Sequence, residues 1–144
     1  MAATHPLVGS WRVTVRIPAA DVEGVNLATC GADGTMIVAF PSPVPAAPGQ
    51  GHRIEFYTPA IGSWLASGER GATMTFVSLA TDENGAALGS HTVSAEVTVD
   101  AAGGSWTGPF QITAAGPAGE AQGSVEGTVS ATRIVAQPVG TVKS

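Results

Sequence analysis

The densest polar cluster in this chain is His52-Arg53-Ile54-Glu55-Phe56-Tyr57. On an extended strand Arg53, Glu55 and Tyr57 share one face, because successive side chains alternate. A carboxylate sheltered beside a guanidinium and a phenol can hold a shifted pKa and move a proton. His91, on a later strand, is the fourth candidate for such work. The competing reading is an exposed edge segment whose ion pair contributes only about 0–1 kcal/mol. Glu96 poses the same choice. It shares a face with Ser94 and Thr98, and it enters the interior only if the His91, Val93, Ala95 and Val97 face looks outward. A lone interior carboxylate is costly, which favours a solvated Glu96.

Other chemistries find less support. His5, His52 and His91 have no spacing that puts two of them on one face of a strand or helix. With Cys30 the only cysteine, neither a disulfide nor a cysteine metal site can be built, and no metal or cofactor is expected. A serine hydrolase needs its nucleophile on a strand-to-helix elbow. Gly62-Ser63-Trp64 and Gly123-Ser124-Val125 sit instead in strand and turn patterns. The six basic residues are scattered and the net charge is −5, so no patch exists to neutralise nucleic-acid phosphates or to dock on an anionic membrane.

The apolar residues say more. Met36, Phe40, Trp64, Met74, Phe76, Trp106 and Phe110 are spread over four strands, opposite small residues such as Gly108, Ala114, Gly123, Gly127 and Ala131. Large rings facing glycines either fill a taper or line a cavity. An eight-stranded barrel is just wide enough for side chains or one small ligand.

The elements that must position these groups are strands. Trp11, Val13, Val15 and Ile17 alternate with Arg12, Thr14 and Arg16, and Pro18 ends the run. Further strands are expected at 25–30, 35–40, 62–67, 72–81, 88–99, 105–115 and 121–135, with an irregular edge strand within 51–58. Turn clusters separate them, the clearest being Asp82-Glu83-Asn84-Gly85, where Asn-Gly supplies positive φ. The segment 41–50 holds four prolines and is expected to be a long loop able to serve as a mouth or lid. No helical pattern of useful length appears, and the tail 137–144 is expected to fray. From residue 62 onward every link is a tight turn, so the reading is one all-β domain, an antiparallel up-and-down barrel of about eight strands spanning 7–135. A two-sheet sandwich is the alternative, with 41–50 as the only segment long enough for its crossing connection.

Leu7-Val8-Gly9-Ser10-Trp11 places a Gly-x-Trp at the first strand, and Thr132-Arg133-Ile134 places an arginine at the end of the last. Between them stand Asp33-Gly34, Gly62-Ser63-Trp64 and Gly127-Thr128-Val129-Ser130-Ala131-Thr132-Arg133. In these pieces the chain resembles small bacterial lipocalin-like proteins of the calycin superfamily. The resemblance implies that Arg133 covers the Trp11 indole where the first and last strands meet, a contact of roughly 0.5–2 kcal/mol.

Two functions follow. One is a module that binds a small apolar molecule, lined by Met36, Phe40, Trp64, Met74, Phe76 and Phe110 with Tyr57 at the mouth. The other is a cofactor-free isomerase or cyclase on the same barrel, with Arg53, Glu55, Tyr57 and His91 assisting. The N-terminus carries no leader pattern, which fits a cytoplasmic chain or one written without its leader. An edge near the proline-rich segment can support a homodimer, which nothing in the sequence requires.

Overall fold

A computed structural model of the chain describes residues 4–41, 44–45 and 54–140. Ten strands account for nearly all of its regular structure: β1 (Gly9–Ile17), β2 (Val22–Cys30), β3 (Thr35–Ala39), β4 (Val44–Pro45), β5 (Ile54–Tyr57), β6 (Ala60–Ala66), β7 (Gly71–Thr81), β8 (Ala87–Val99), β9 (Ser105–Ala115) and β10 (Ala121–Arg133). Pairing runs β1–β2–β3–β6–β7–β8–β9–β10 and returns to β1, antiparallel throughout. The result is a closed eight-stranded up-and-down barrel, an architecture compatible with a lipocalin-like fold. Closure leaves no open edge in the ring, which disposes of the sandwich alternative.

β5 and β6 together occupy one place in the ring, because both pair with β7. Thr58-Pro59 separates them. Pro59 has no N–H for the ladder, and Thr58 bridges the gap: its N–H donates to the Leu79 carbonyl at 3.0 Å, and its Oγ1 accepts from the Leu79 N–H at 3.0 Å. The edge strand expected within 51–58 is thus Ile54–Tyr57. Most of the proline-rich segment lies outside the described residues, but Val44–Pro45 pairs with Ile54 and Glu55.

Elsewhere the elements agree with the periodicity to within a residue or two, β2 excepted. It begins at Val22, three residues before the expected start. Pro18–Ala20 forms a single 3-10 turn closed by Asp21 at φ 51°, which returns the chain at once into β2. Gly24 interrupts the apolar alternation there and hides that start.

The interior is built by alternation. On β7 Ala72, Met74, Phe76, Ser78 and Ala80 turn inward; on β8 the valine face does so, leaving Glu96 exposed. Glycines stand opposite two of the inward phenylalanines. Gly62 faces Phe76 across β6–β7, and Gly127 faces Phe110 across β9–β10. A Cβ on Gly127 would stand 2.7 Å from the Phe110 ring and collide with the Arg16 carbonyl.

One end is sealed. Trp11 and Leu7 are fully buried, and the Trp11 Nε1–H donates to the Leu7 carbonyl at 2.9 Å. Trp106 meets Trp11 edge-on at 6.0 Å. Arg133 lies over the Trp11 ring and donates to the carbonyls of Gly103, Val8 and Pro6. Gly9 sits at φ 135°, and a Cβ there would fall 2.5 Å from Arg133 Nη1. This is a physical reason for the glycine of the Gly-x-Trp motif.

Candidate functional site

The opposite end is open, and two spaces follow each other inward from it. The outer one has a volume of about 360 Å³ and is bordered by Glu55, Tyr57, Ser78, His91, Gln122 and Ser124 among others. The inner one, of about 70 Å³, has an almost wholly apolar wall that includes Met36, Phe40, Met74, Phe76 and Phe110. Phe40, Val93 and Ile112 border both spaces and so form the neck between them.

Four strands supply the polar groups of the mouth: β10 brings Gln122 and Ser124, and β5, β7 and β8 bring the rest. β5 contributes Glu55, which is 6% exposed, and Tyr57. They share a face two residues apart, and the Tyr57 hydroxyl donates to Glu55 Oε2 at 2.6 Å. β8 contributes His91, whose ring meets Tyr57 edge-on at 5.1 Å. β7 contributes Ser78, buried and directly opposite His91 in the β7–β8 register. Phe40 closes the group from β3's end, 6.2 Å from the Tyr57 ring and nearly perpendicular to it.

Burial pulls the His91 pKa below the ordinary 6.5, and the charge of Glu55 pushes back more weakly. The imidazole is therefore neutral near pH 7. It makes no side-chain hydrogen bond to the other described residues. A neutral imidazole presents one donor and one acceptor nitrogen, so His91 can bind a protic group or take up its proton. The Tyr57 proton, by contrast, is committed to Glu55.

Of the four residues put forward for acid–base chemistry, the fold brings Glu55, Tyr57 and His91 to one mouth. Arg53 lies outside the described residues. Of the seven put forward as ligand contacts, Met36, Phe40, Met74, Phe76 and Phe110 border the inner cavity, and Tyr57 and Phe40 border the mouth. Trp64 does neither. It sits toward the sealed end, where its Nε1–H donates to the Gly31 carbonyl at 2.9 Å and its ring meets His5 at 5.3 Å. His5 accepts the Leu7 N–H at Nδ1 and reaches the Gly71 carbonyl through Nε2, so it fastens the N-terminal segment across that end.

Neither Ser78 nor Gln122 stands out in the sequence as a site residue, and Ser124 is set aside there as a strand or turn residue. For Ser78 the signal was present: a hydroxyl on the same face as Met74 and Phe76 must point inward. For Gln122 and Ser124 there was none, since β10 has a register irregularity between Ala121 and Gly123 that breaks the alternation. No group of three His, Cys, Asp or Glu side chains among the described residues could hold a metal ion. No family model matches this chain, and no curated protein or solved structure matches it.

Proposed function

We propose that the barrel takes up a small, mainly apolar molecule through its open end, with the apolar part directed inward and any polar group beside Glu55, Tyr57 and His91. The observation that carries this reading is the shared neck: Phe40, Val93 and Ile112 join a polar-rimmed mouth to an apolar interior. The volumes decide how the molecule lies. Ligand pockets usually span roughly 300–1,000 Å³, which the mouth reaches and the inner space does not. Most of the molecule therefore rests in the mouth, and a small apolar end passes the neck. Each 100 Å² of apolar surface so buried contributes about 2.5 kcal/mol before the entropic costs of binding.

A titration with the neutral dye N-phenyl-1-naphthylamine tests this. Saturable fluorescence enhancement is expected for the native chain, reversed by competing 1-decanol, and lost in Val93→Trp, which fills the neck. Thermal unfolding of the variant confirms that it still folds, and Ile112→Trp repeats the test from another strand. Absent enhancement in the native chain, or undiminished binding in both variants, would sink the proposal.

The convergence of Glu55, Tyr57 and His91 supports a second reading, a cofactor-free isomerase or cyclase. In it the barrel folds the substrate and these side chains assist a proton transfer. The readings separate in His91→Gln and Glu55→Gln: loss of turnover with binding retained supports catalysis, and unchanged chemical identity of every bound compound supports binding alone.

A further inference from the structure

Of the three tryptophan N–H groups in this chain, two have partners within it. Trp11 donates to the Leu7 carbonyl and Trp64 to the Gly31 carbonyl, each at 2.9 Å. The third, Trp106, is 3% exposed, and its Nε1–H is buried without a hydrogen-bond partner among the described residues. A buried indole donor ordinarily finds a partner, because burial strips its hydration and an unpaired group recovers nothing in return. The side chains around it cannot serve. Val99 and Ala131, its register partners on β8 and β10, are aliphatic, and Trp11, which meets it edge-on, has only a donor of its own. The Trp106 ring does border one space, the inner cavity.

A second polar group stands at the same level. The pairs Trp106–Ala131, Ala131–Val13 and Val13–Asn26 form one cross-strand row over β9, β10, β1 and β2. Asn26 is half-buried, shares the inward face with Ala28 and Cys30, and borders the same cavity. Only three strand steps of roughly 4.8 Å each, measured around a curved wall, separate it from Trp106. Among the described residues of that wall these two carry the only polar side-chain atoms besides the methionine sulfurs.

The chemistry of this row selects a ligand group. The indole N–H can only donate, and the amide offers an NH2 that donates as well. A hydroxyl placed here must dispose of its own proton, for which Asn26 Oδ1 is the one strong acceptor on the wall, and a water must dispose of two. A carbonyl oxygen needs donors alone and has two lone pairs to receive them. We infer that the inner cavity seats a carbonyl oxygen: the molecule taken up is an apolar ketone, aldehyde or ester whose carbonyl lies near its inward end, bonded to the Trp106 N–H. The space of about 70 Å³ suits the terminal acetyl group of such a molecule, since one water needs roughly 10–15 Å³. The inference rests on the proposed uptake through the mouth and adds the group that leads.

The test compares 2-decanone with 2-methyl-1-decene, in which a CH2 replaces the carbonyl oxygen and nothing else changes. Both are titrated into the full chain carrying 15N-labelled tryptophan, with the Trp106 indole signal assigned by through-bond correlation. The ketone is expected to move that N–H downfield at saturation, and the alkene to move it no more than it moves the Trp11 and Trp64 signals. In Trp106→Phe the ratio of ketone to alkene affinity is expected to fall about three- to tenfold, the worth of one hydrogen bond, while packing losses cancel in the ratio. The shift is read on the native chain and so holds even where the variant fails to fold. If neither compound binds the native chain, the uptake itself is overturned and this inference with it. Binding of both compounds without a ketone-specific shift at Trp106 would overturn the carbonyl seat alone. So would a water Overhauser effect at that N–H that persists with the ketone bound, because the donor would then belong to a resident water.

Discussion

The guanidinium carbon of Arg133 stands 4.2 Å from the centroid of the Trp11 ring, and the two residues face each other across the β1–β10 seam. One side chain thereby joins four parts of the chain: the last strand, the first strand, the segment before it through Pro6 and Val8, and the β8–β9 turn through Gly103. The planar fork of arginine suits this. It stacks on the indole while its edge donates to three carbonyls, which a lysine ammonium cannot reproduce.

Arg133→Ala is therefore expected to cost roughly 2–4 kcal/mol of stability, from the lost stacking and the stranded carbonyls. Arg133→Lys is expected to recover less than half of that. Urea unfolding followed by tryptophan fluorescence measures both; equal stability of the lysine variant and the native chain would show that charge alone matters at the seam.

Gly127→Ala is expected to destabilise by roughly 1–3 kcal/mol, since the added methyl meets the Phe110 ring and the Arg16 backbone and both must shift. Gly104→Ala is the matched control. Its methyl would enter open space, and its effect is expected to stay within about 0.5 kcal/mol. Thermal melts of the two variants side by side give the comparison, and similar losses in both would remove the ring-over-glycine account.

Cys30 is 1% exposed, and burial raises its thiol to about 11 from the usual 9.0. Near neutral pH this lowers the reactive thiolate fraction about a hundredfold, before the steric block is counted. Iodoacetamide labelling followed by mass spectrometry is expected to stay slow in buffer and become fast in denaturant. Prompt labelling of the folded chain would mean that the sealed end opens.

His91 makes stability depend on pH in a defined window. Its folded pKa lies below 6.5 while the unfolded chain binds the proton at about 6.5. Between those values the unfolded state holds more protons, so stability is complete above about 6.5 and falls as the pH drops toward the folded value. The slope is at most about 1.4 kcal/mol per pH unit. Asp33 and Asp100, held low chiefly by hydrogen bonds from Thr35 and Ser105 at the starts of β3 and β9, act only below 3.8. Unfolding curves from pH 7 to 5 are expected to flatten in His91→Gln. An unaltered slope would place His91 in water.

Much of the fold was legible because β7, β8 and β9 alternate cleanly and Asp82–Gly85 turns sharply between two of them. The Gly9, Trp11 and Arg133 seam was legible through the resemblance to lipocalin-like barrels, which implies that an arginine of the last strand covers the tryptophan of the first. The mouth was legible only in part. Glu55 and Tyr57 share a face by their spacing, but their meeting with His91 depends on strand stagger, which no single strand encodes. Trp64 shows the same limit. Alternation correctly turns it inward, yet its height along the barrel axis is fixed by β3–β6 register, and that places it at the sealed end instead of in the cavity. The break at Thr58-Pro59, which lets β5 and β6 share one place in the ring, required knowing that both pair with β7.

The central claim is an interior reached from the mouth. Met36 and Met74 border the inner cavity and each is 2% exposed, so their methyl groups report on it directly. In a methyl-labelled sample titrated with 1-decanol, intermolecular nuclear Overhauser effects are expected from the terminal methyl of the alcohol to the methyls of both methionines, with shift changes at His91 from the hydroxyl end. Overhauser effects confined to outward residues such as Ile61 and Leu65, with both methionine methyls unmoved at saturation, would contradict the account.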